Sequence, residues 1–161
     1  MRHAKAQQYA PTDQERELED RGKRDAAAAG EWLALHEFDC DYALVSSAAR
    51  AIGTWEAVRK GADWDIDPDV DASLYAAGPE TALDVIRSLP DEALSVLLVG
   101  HNPTVAYLAQ LLDDGDGDED SVAEMSQGFP TSALTVFDYA GDWADLEIGS
   151  ARVTGFHVGR G

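Results

Sequence analysis

Ser95-Val96-Leu97-Leu98-Val99-Gly100-His101-Asn102-Pro103, running into Thr104-Val105-Ala106-Tyr107-Leu108-Ala109-Gln110-Leu111-Leu112, decides the fold class. Its first five residues are an apolar run with no alternation, the pattern of a strand buried on both faces. Gly100 ends the run. After a short polar loop, residues 104–112 read as a helix. A buried strand that feeds a helix through a tight loop is the repeating unit of a parallel sheet covered on both sides.

Working outward, the unit recurs. Tyr42-Ala43-Leu44-Val45, within Asp41–Ser47, reads as a second buried strand. A helix over Ala49–Lys60 follows it, with Gly61 as its stop. Upstream, Leu18, Ala26, Ala29, Leu33 and Phe38 recur near helical spacing and predict a helix over Glu19–Phe38. Asp63–Val70 carries Pro68 and reads as a short edge strand at most. Pro79–Leu89 is a further helix, opened by Pro79 and followed by Pro90. Beyond an acidic loop at Asp113–Asp120, strands are expected at Ser132–Tyr139, Ala144–Ile148 and Arg152–Val158. The expectation is a three-layer α/β/α fold with a mostly parallel central sheet. It is one domain over residues 1–161, without internal repeat or linker.

Composition narrows the function. The chain has 161 residues, 12 Lys+Arg against 31 Asp+Glu and a net charge of −19. Such a field repels nucleic acid and anionic membrane surfaces, so neither is an expected partner. A hydrophobic content of 45% is too high for a disordered acidic tail. No apolar run approaches the ~20 residues of a membrane span, and the first residues have no apolar signal region. The single cysteine, Cys40, forms no internal disulfide and no paired-cysteine metal site. A cytoplasmic protein is expected. Lysine is rare (Lys5, Lys23 and Lys60), while 20 Asp stand against 11 Glu. This balance keeps a surface hydrated at low water activity and needs salt to screen it, which predicts a salt-rich, halophilic setting.

Function in such sheets sits at the carboxyl ends of the strands. Three loops there carry chemistry: Arg2-His3, Ser46-Ser47-Ala48-Ala49-Arg50 and Gly100-His101-Asn102-Pro103. Arginine presents a planar fork of donors that matches phosphate oxygens. A neutral histidine can attack phosphorus and carry the phosphoryl group. Nearby Arg2 and Arg50 would lower the histidine's pKa and keep it neutral. A second histidine can donate to the crowded oxygens of the transition state. Guanidinium groups supply the positive charge, so the scheme calls for no metal and no cofactor.

These segments resemble the histidine phosphatase superfamily, the phosphoglycerate-mutase-like fold. Arg2-His3-Ala4-Lys5 resembles its Arg-His signature. Val45-Ser46-Ser47-Ala48-Ala49-Arg50 with Thr54 resembles its Ser-Ser-x-x-Arg-x-x-x-Thr segment. Val99-Gly100-His101-Asn102-Pro103 is similar to its second histidine motif. Asp13-Gln14-Glu15-Arg16-Glu17-Leu18 with Arg21-Gly22, and Phe129-Pro130-Thr131-Ser132-Ala133, resemble segments of the short SixA-type phosphohistidine phosphatases. The five motifs occur in order over nearly the whole chain.

The resemblance implies His3 as phospho-acceptor, Arg2 and Arg50 on the phosphoryl oxygens, and His101 completing the pocket. Arg16 is a further substrate-binding candidate. The family often uses an acidic proton donor, and Glu80 is the candidate here, against its role as a first-turn carboxylate of a helix. The implied activity is a metal-independent phosphatase acting on a protein phosphohistidine. A small phosphoester is the alternative substrate, and a non-catalytic phosphate-binding module the alternative function. A mutase lacks a long insertion here, and a metallophosphatase lacks paired ligand spacing.

Family members usually carry an apolar strand before the Arg-His pair, and here Arg2 directly follows Met1. The expectation is that several more residues precede Met1, and that without them neighbouring strands stay unpaired and His3 sits loosely. The remaining signals read as structure. His36 ends a helix and His157 lies in a terminal strand. The four tryptophans serve packing. Asp39 and Asp41 raise the Cys40 thiol pKa. Asp114-Gly115-Asp116-Gly117-Asp118 fails the calcium-loop pattern, because Glu119 and Met125 fall where Gly and Glu are needed.

Overall fold

The computed structural model describes all 161 residues. Strands β1 (Tyr42–Ser46), β2 (Pro68–Asp71) and β3 (Val96–Val99) form a parallel sheet in the order β2-β1-β3. Strands β4 (Ala133–Asp138) and β5 (Arg152–Val158) pair antiparallel. Met1–His3 lies between the two groups and bonds to both. The Gly100 N–H donates to Met1 O at 3.0 Å, the His3 N–H to Gly100 O at 3.0 Å, and the Arg2 N–H to Ala133 O at 2.9 Å.

Side chains alternate across the sheet as the pleat requires. On β1, Leu44 joins Leu83 and Ile86 of α3 (Pro79–Arg87) and Leu108 of α4 (Thr104–Leu112). Ala43 and Val45 join Ala51 and Trp55 of α2 (Ala49–Ala62) instead. Helix α1 (Asp20–Leu35) packs along α2 and buries Ala26, Ala29 and Leu33. The result is the expected three-layer α/β/α fold. The α1–α2 contact is backbone to backbone. A Cβ on Gly30 would strike the Val58 carbonyl, and one on Gly61 the Ala27 carbonyl. Gly61 is therefore a contact inside α2 rather than its stop. Asp63, in the left-handed region at φ 58°, caps the helix.

Two other expectations are corrected. Residues 144–148 are not a strand. Trp143–Asp145 is a single 3-10 turn, after which Leu146 drops into the core and Ile148 stays exposed. Residues 119–127, the first two of which fall within the expected acidic loop, form helix α5 (Glu119–Gln127) against β5. The Asp118 side chain caps it by accepting from the Ser121 N–H at 2.9 Å.

Strands β3 and β4 meet Met1–His3 only at one end. Toward the other end they stand apart around a cavity of about 390 Å³, lined by Met1, Leu33, Leu97, Val136, Leu112 and Trp143 among other apolar side chains. Val96, Leu97 and Leu98 of β3 are only half-buried, whereas β1 is buried from Ala43 to Ser46. The expected open strand edges are present. The expected looseness of His3 is not, because its neighbours hold it on both sides. The Met1 amine is itself buried and donates to Leu98 O at 2.8 Å. Burial lowers its pKa from 8.0 to about 5.

Candidate active site

His3 follows the two residues clamped between β3 and β4, at the carboxyl end of the sheet. Its Nδ1 lies 2.8 Å from Ala4 O, so Nδ1 carries the proton and Nε2 keeps a free lone pair. Ala4 is fixed in turn. Its N–H donates to Thr54 Oγ1 at 2.9 Å, and the Thr54 hydroxyl donates to Arg50 O at 2.7 Å. The fully buried Thr54 thus ties the His3 backbone to the helix that carries Arg50.

The His101 ring stands 5.1 Å from the His3 ring, centroid to centroid. His101 Nε2 shares a hydrogen bond of 2.7 Å with Ser46 Oγ at the end of β1. Its Nδ1 is buried without a partner. Both histidines have pKa values lowered from 6.5 to about 4. For His3 the largest cause is burial, followed among the lowering effects by Arg50, Arg2 and Arg16. The sequence reading credited the arginines alone. At neutral pH both rings are uncharged.

The three arginines reach this point from different segments, and each is tied down on one side. Arg2 Nη1 donates to Phe129 O at 2.9 Å. Arg16 Nε donates to Gln7 O at 2.7 Å. Arg50, buried at the start of α2, donates from Nη1 to Asp13 O at 2.7 Å and from Nη2 to Asp13 Oδ2 at 3.0 Å. Asp13 also receives Arg16 Nη1 on Oδ1 at 2.7 Å and the Tyr75 hydroxyl on Oδ2 at 2.7 Å. These donors, Tyr75 first, hold its carboxyl well below the ordinary carboxylate range. Tyr75 stands edge-on to His101 at 5.8 Å, with the Arg50 guanidinium 5.7 Å from its ring centroid.

The structure brings His3, His101, Arg2 and Arg50 together, and Arg16 joins Arg50 through Asp13. Glu80 is exposed in the first turn of α3 and makes no hydrogen bond or ion pair with these residues. The carboxylate that meets the site is Asp13, which sequence reasoning passed over along with Ser46, Thr54 and Tyr75 as individual side chains. The Asp13-x-x-Arg16 spacing was the available signal, since it places acid and base within reach across one turn.

The remaining histidines lie elsewhere. His157 stacks on Trp32 at 4.7 Å and His36 stands against the same ring at 4.2 Å. The Cys40 thiol pKa is raised to about 11, chiefly by burial, with Asp41 and Asp39 adding less. Arg152 pairs with Asp114 and Asp116 of the acidic loop at 3.6 and 3.9 Å.

Known proteins are similar to this chain along most of its length. Residues 1–75 match the histidine phosphatase superfamily (branch 1). An uncharacterized protein of Mycobacterium tuberculosis is 40% identical over 164 residues, covering 99% of this chain and 100% of that protein. A phosphohistidine phosphatase SixA homolog of Haemophilus influenzae is 30% identical over 146 residues, covering 74% of this chain and 89% of that protein. The chain belongs to the histidine phosphatase superfamily. Among solved structures, one assigned as a phosphohistidine phosphatase SixA from Nakamurella multipartitia superposes with a TM-score of 0.85 at 30% identity. That match covers 99% of this chain and 93% of the other. As a member of this superfamily with SixA-type architecture, the chain is a phosphatase. No helix is long and apolar enough to cross a membrane.

Proposed function

We propose that this phosphatase removes the phosphoryl group from phosphohistidine on a protein, by way of a phosphohistidine intermediate on His3. The observation that carries the reading is the His3 ring itself. It is neutral, its Nδ1 is committed to Ala4 O, its Nε2 is free, and Arg50, Arg2 and Arg16 are near enough to lower its pKa. Nε2 attacks phosphorus in line with the leaving nitrogen. A phosphorus–nitrogen bond forms on His3 as the substrate's breaks. Arg2, Arg50 and Arg16 receive the equatorial oxygens, and His101, neutral with its Nε2 accepting from the Ser46 hydroxyl, keeps its proton on Nδ1 as a further donor. Water then attacks the phosphoryl group on His3, releasing inorganic phosphate and restoring Nε2.

The leaving group supports a phosphohistidine substrate. Asp13 is held ionised by Tyr75, Arg16 and Arg50, so it has no proton to give. Glu80 stands exposed and unbonded on α3. An imidazole leaves far more readily than an alkoxide and depends less on a general acid.

The test is hydrolysis of p-nitrophenyl phosphate and of a phosphohistidine-bearing protein in molar KCl with EDTA, with His3→Ala alongside. Wild type turns over both. His3→Ala loses at least about a thousandfold in kcat/KM, and acid-labile phosphate is trapped on His3 of the wild type. Full activity in His3→Ala would overturn the intermediate. Faster turnover of an alkyl phosphate than of the phosphohistidine protein would overturn the substrate class.

A further inference from the structure

We propose that Asp13 is a positioning residue, whose carboxylate and carbonyl hold the Arg16 and Arg50 guanidinium groups in the orientation that receives the substrate's phosphoryl group. The inference rests on the phosphatase reading above. Its basis is one cluster of contacts. Asp13 Oδ1 receives Arg16 Nη1 at 2.7 Å, while Oδ2 receives Arg50 Nη2 at 3.0 Å and the Tyr75 hydroxyl at 2.7 Å. The carbonyl of the same residue receives Arg50 Nη1 at 2.7 Å. Two guanidinium groups on segments far apart in sequence are thus aligned through a single residue.

The surroundings make this a built feature rather than a chance surface pair. The Asp13 loop is anchored by the Ala49 N–H donating to Gln14 O at 2.9 Å and by Gln14 Nε2 donating to Ser47 Oγ at 3.1 Å. Arg16 is held from its other side by Gln7 O. Arg50 has 8% of its side-chain surface exposed, against 52% for Asp13, so the clamp grips a buried cation from the solvent side. Two cations that converge on one phosphoryl site repel each other while it is empty. A carboxylate between them offsets that repulsion and removes the cost of ordering two long side chains at the moment of binding. Asparagine could accept on one oxygen only, and its amide would face a guanidinium donor to donor.

The experiment separates this role from the opposite one for the same contacts. A carboxylate on two arginine forks could be an internal anion that phosphate has to displace. The two roles predict opposite signs for phosphate affinity, which makes the proposal testable without turnover.

Wild type, Asp13→Asn, Asp13→Ala and Asp13→Glu are compared in molar KCl, with inorganic phosphate and tungstate binding measured by calorimetry. KM and kcat for p-nitrophenyl phosphate are measured in parallel. Asp13→Asn and Asp13→Ala weaken phosphate binding and raise KM about tenfold, while kcat falls less than about threefold. Asp13→Glu recovers part of the affinity, and all four proteins are compared below their melting temperatures, so that binding is read on folded protein. Unchanged or tighter phosphate binding in Asp13→Asn overturns the proposal. Absent turnover with Asp13-dependent phosphate binding sinks the phosphatase reading and leaves the clamp standing. Normal turnover with Asp13-independent binding does the reverse.

Discussion

At the carboxyl end of the sheet, Met1–His3 is gripped by Gly100 on one side and by Ala133 on the other, and Thr54 holds the next residue. At the amino end, the same two strands, β3 and β4, stand apart around a cavity of about 390 Å³. One end is fixed by directional bonds between named polar groups. The other depends on apolar area and has little to bury. The contrast teaches that positioning a nucleophile and stabilising a sheet are separable tasks. A few hydrogen bonds suffice for the first, whereas the second scales with the surface removed from water.

The largest effect is therefore expected at the amino end. A run of five valines and isoleucines fused ahead of Met1 extends the Met1–His3 path into the cavity. Apolar burial and new ladder bonds, less the ordering entropy, give a net gain of about 3 kcal/mol, or roughly 6–12 °C in Tm. A Gly-Ser extension of the same length gives no gain. An unchanged Tm with the apolar run would show that the cavity is closed in solution and would break the comparison.

The carboxyl end leaves a signature in pH. His3 and His101 have folded pKa values of about 4, below their ordinary 6.5. Between those values the unfolded chain binds the extra protons, so stability falls as pH drops from 6.5 toward 4. Replacing either histidine by alanine flattens the melting curve over that window, and unchanged slopes in both variants would deny the buried, neutral rings.

Thr54→Val probes the same end with a smaller effect. It keeps the shape of the side chain and removes the acceptor for the Ala4 N–H and the donor for Arg50 O. The stranded N–H costs about 2 kcal/mol of stability by denaturant melting. Turnover drops with it, because Ala4 O orients the His3 ring. A loss of stability with kcat untouched would show that β3 and β4 alone hold His3 in place.

What the sequence disclosed follows the same division. Helix α4 and strand β5 were legible to the residue, because Val105, Leu108, Ala109 and Leu112 repeat on one helical face and β5 alternates exposed Arg152 and Thr154 with buried Val153 and Gly155. Helix α5 was hidden because Met125 is its one buried residue and its first turn is acid. Residues 144–148 misled because Ala144, Leu146 and Ile148 alternate as a strand would, yet only Leu146 reaches the core. In the site, His3, Arg2, Arg50 and His101 were visible because their motifs are local. Asp13 and Tyr75 were not, since their bond joins residues 62 positions apart and the Asp13-x-x-Arg16 spacing is one short signal among 31 acidic residues.

The smallest effect separates burial from charge at the nucleophile. Arg50→Met removes the cation and keeps an apolar stem in the same place. If burial is the main reason that His3 has a pKa of about 4, its NMR titration in this variant moves only part of the way toward 6.5. A full return to 6.5 would make the arginines the cause, as the sequence alone suggested. The partial outcome has a consequence for the chemistry. His3 would then be neutral at pH 7 with or without Arg50. Any turnover lost in Arg50→Met would come from the missing contact to the phosphoryl oxygens rather than from a protonated nucleophile. The sheet end that positions His3 also desolvates it, and this burial outweighs the hydrogen bond to Ala4 O, which alone would raise the pKa.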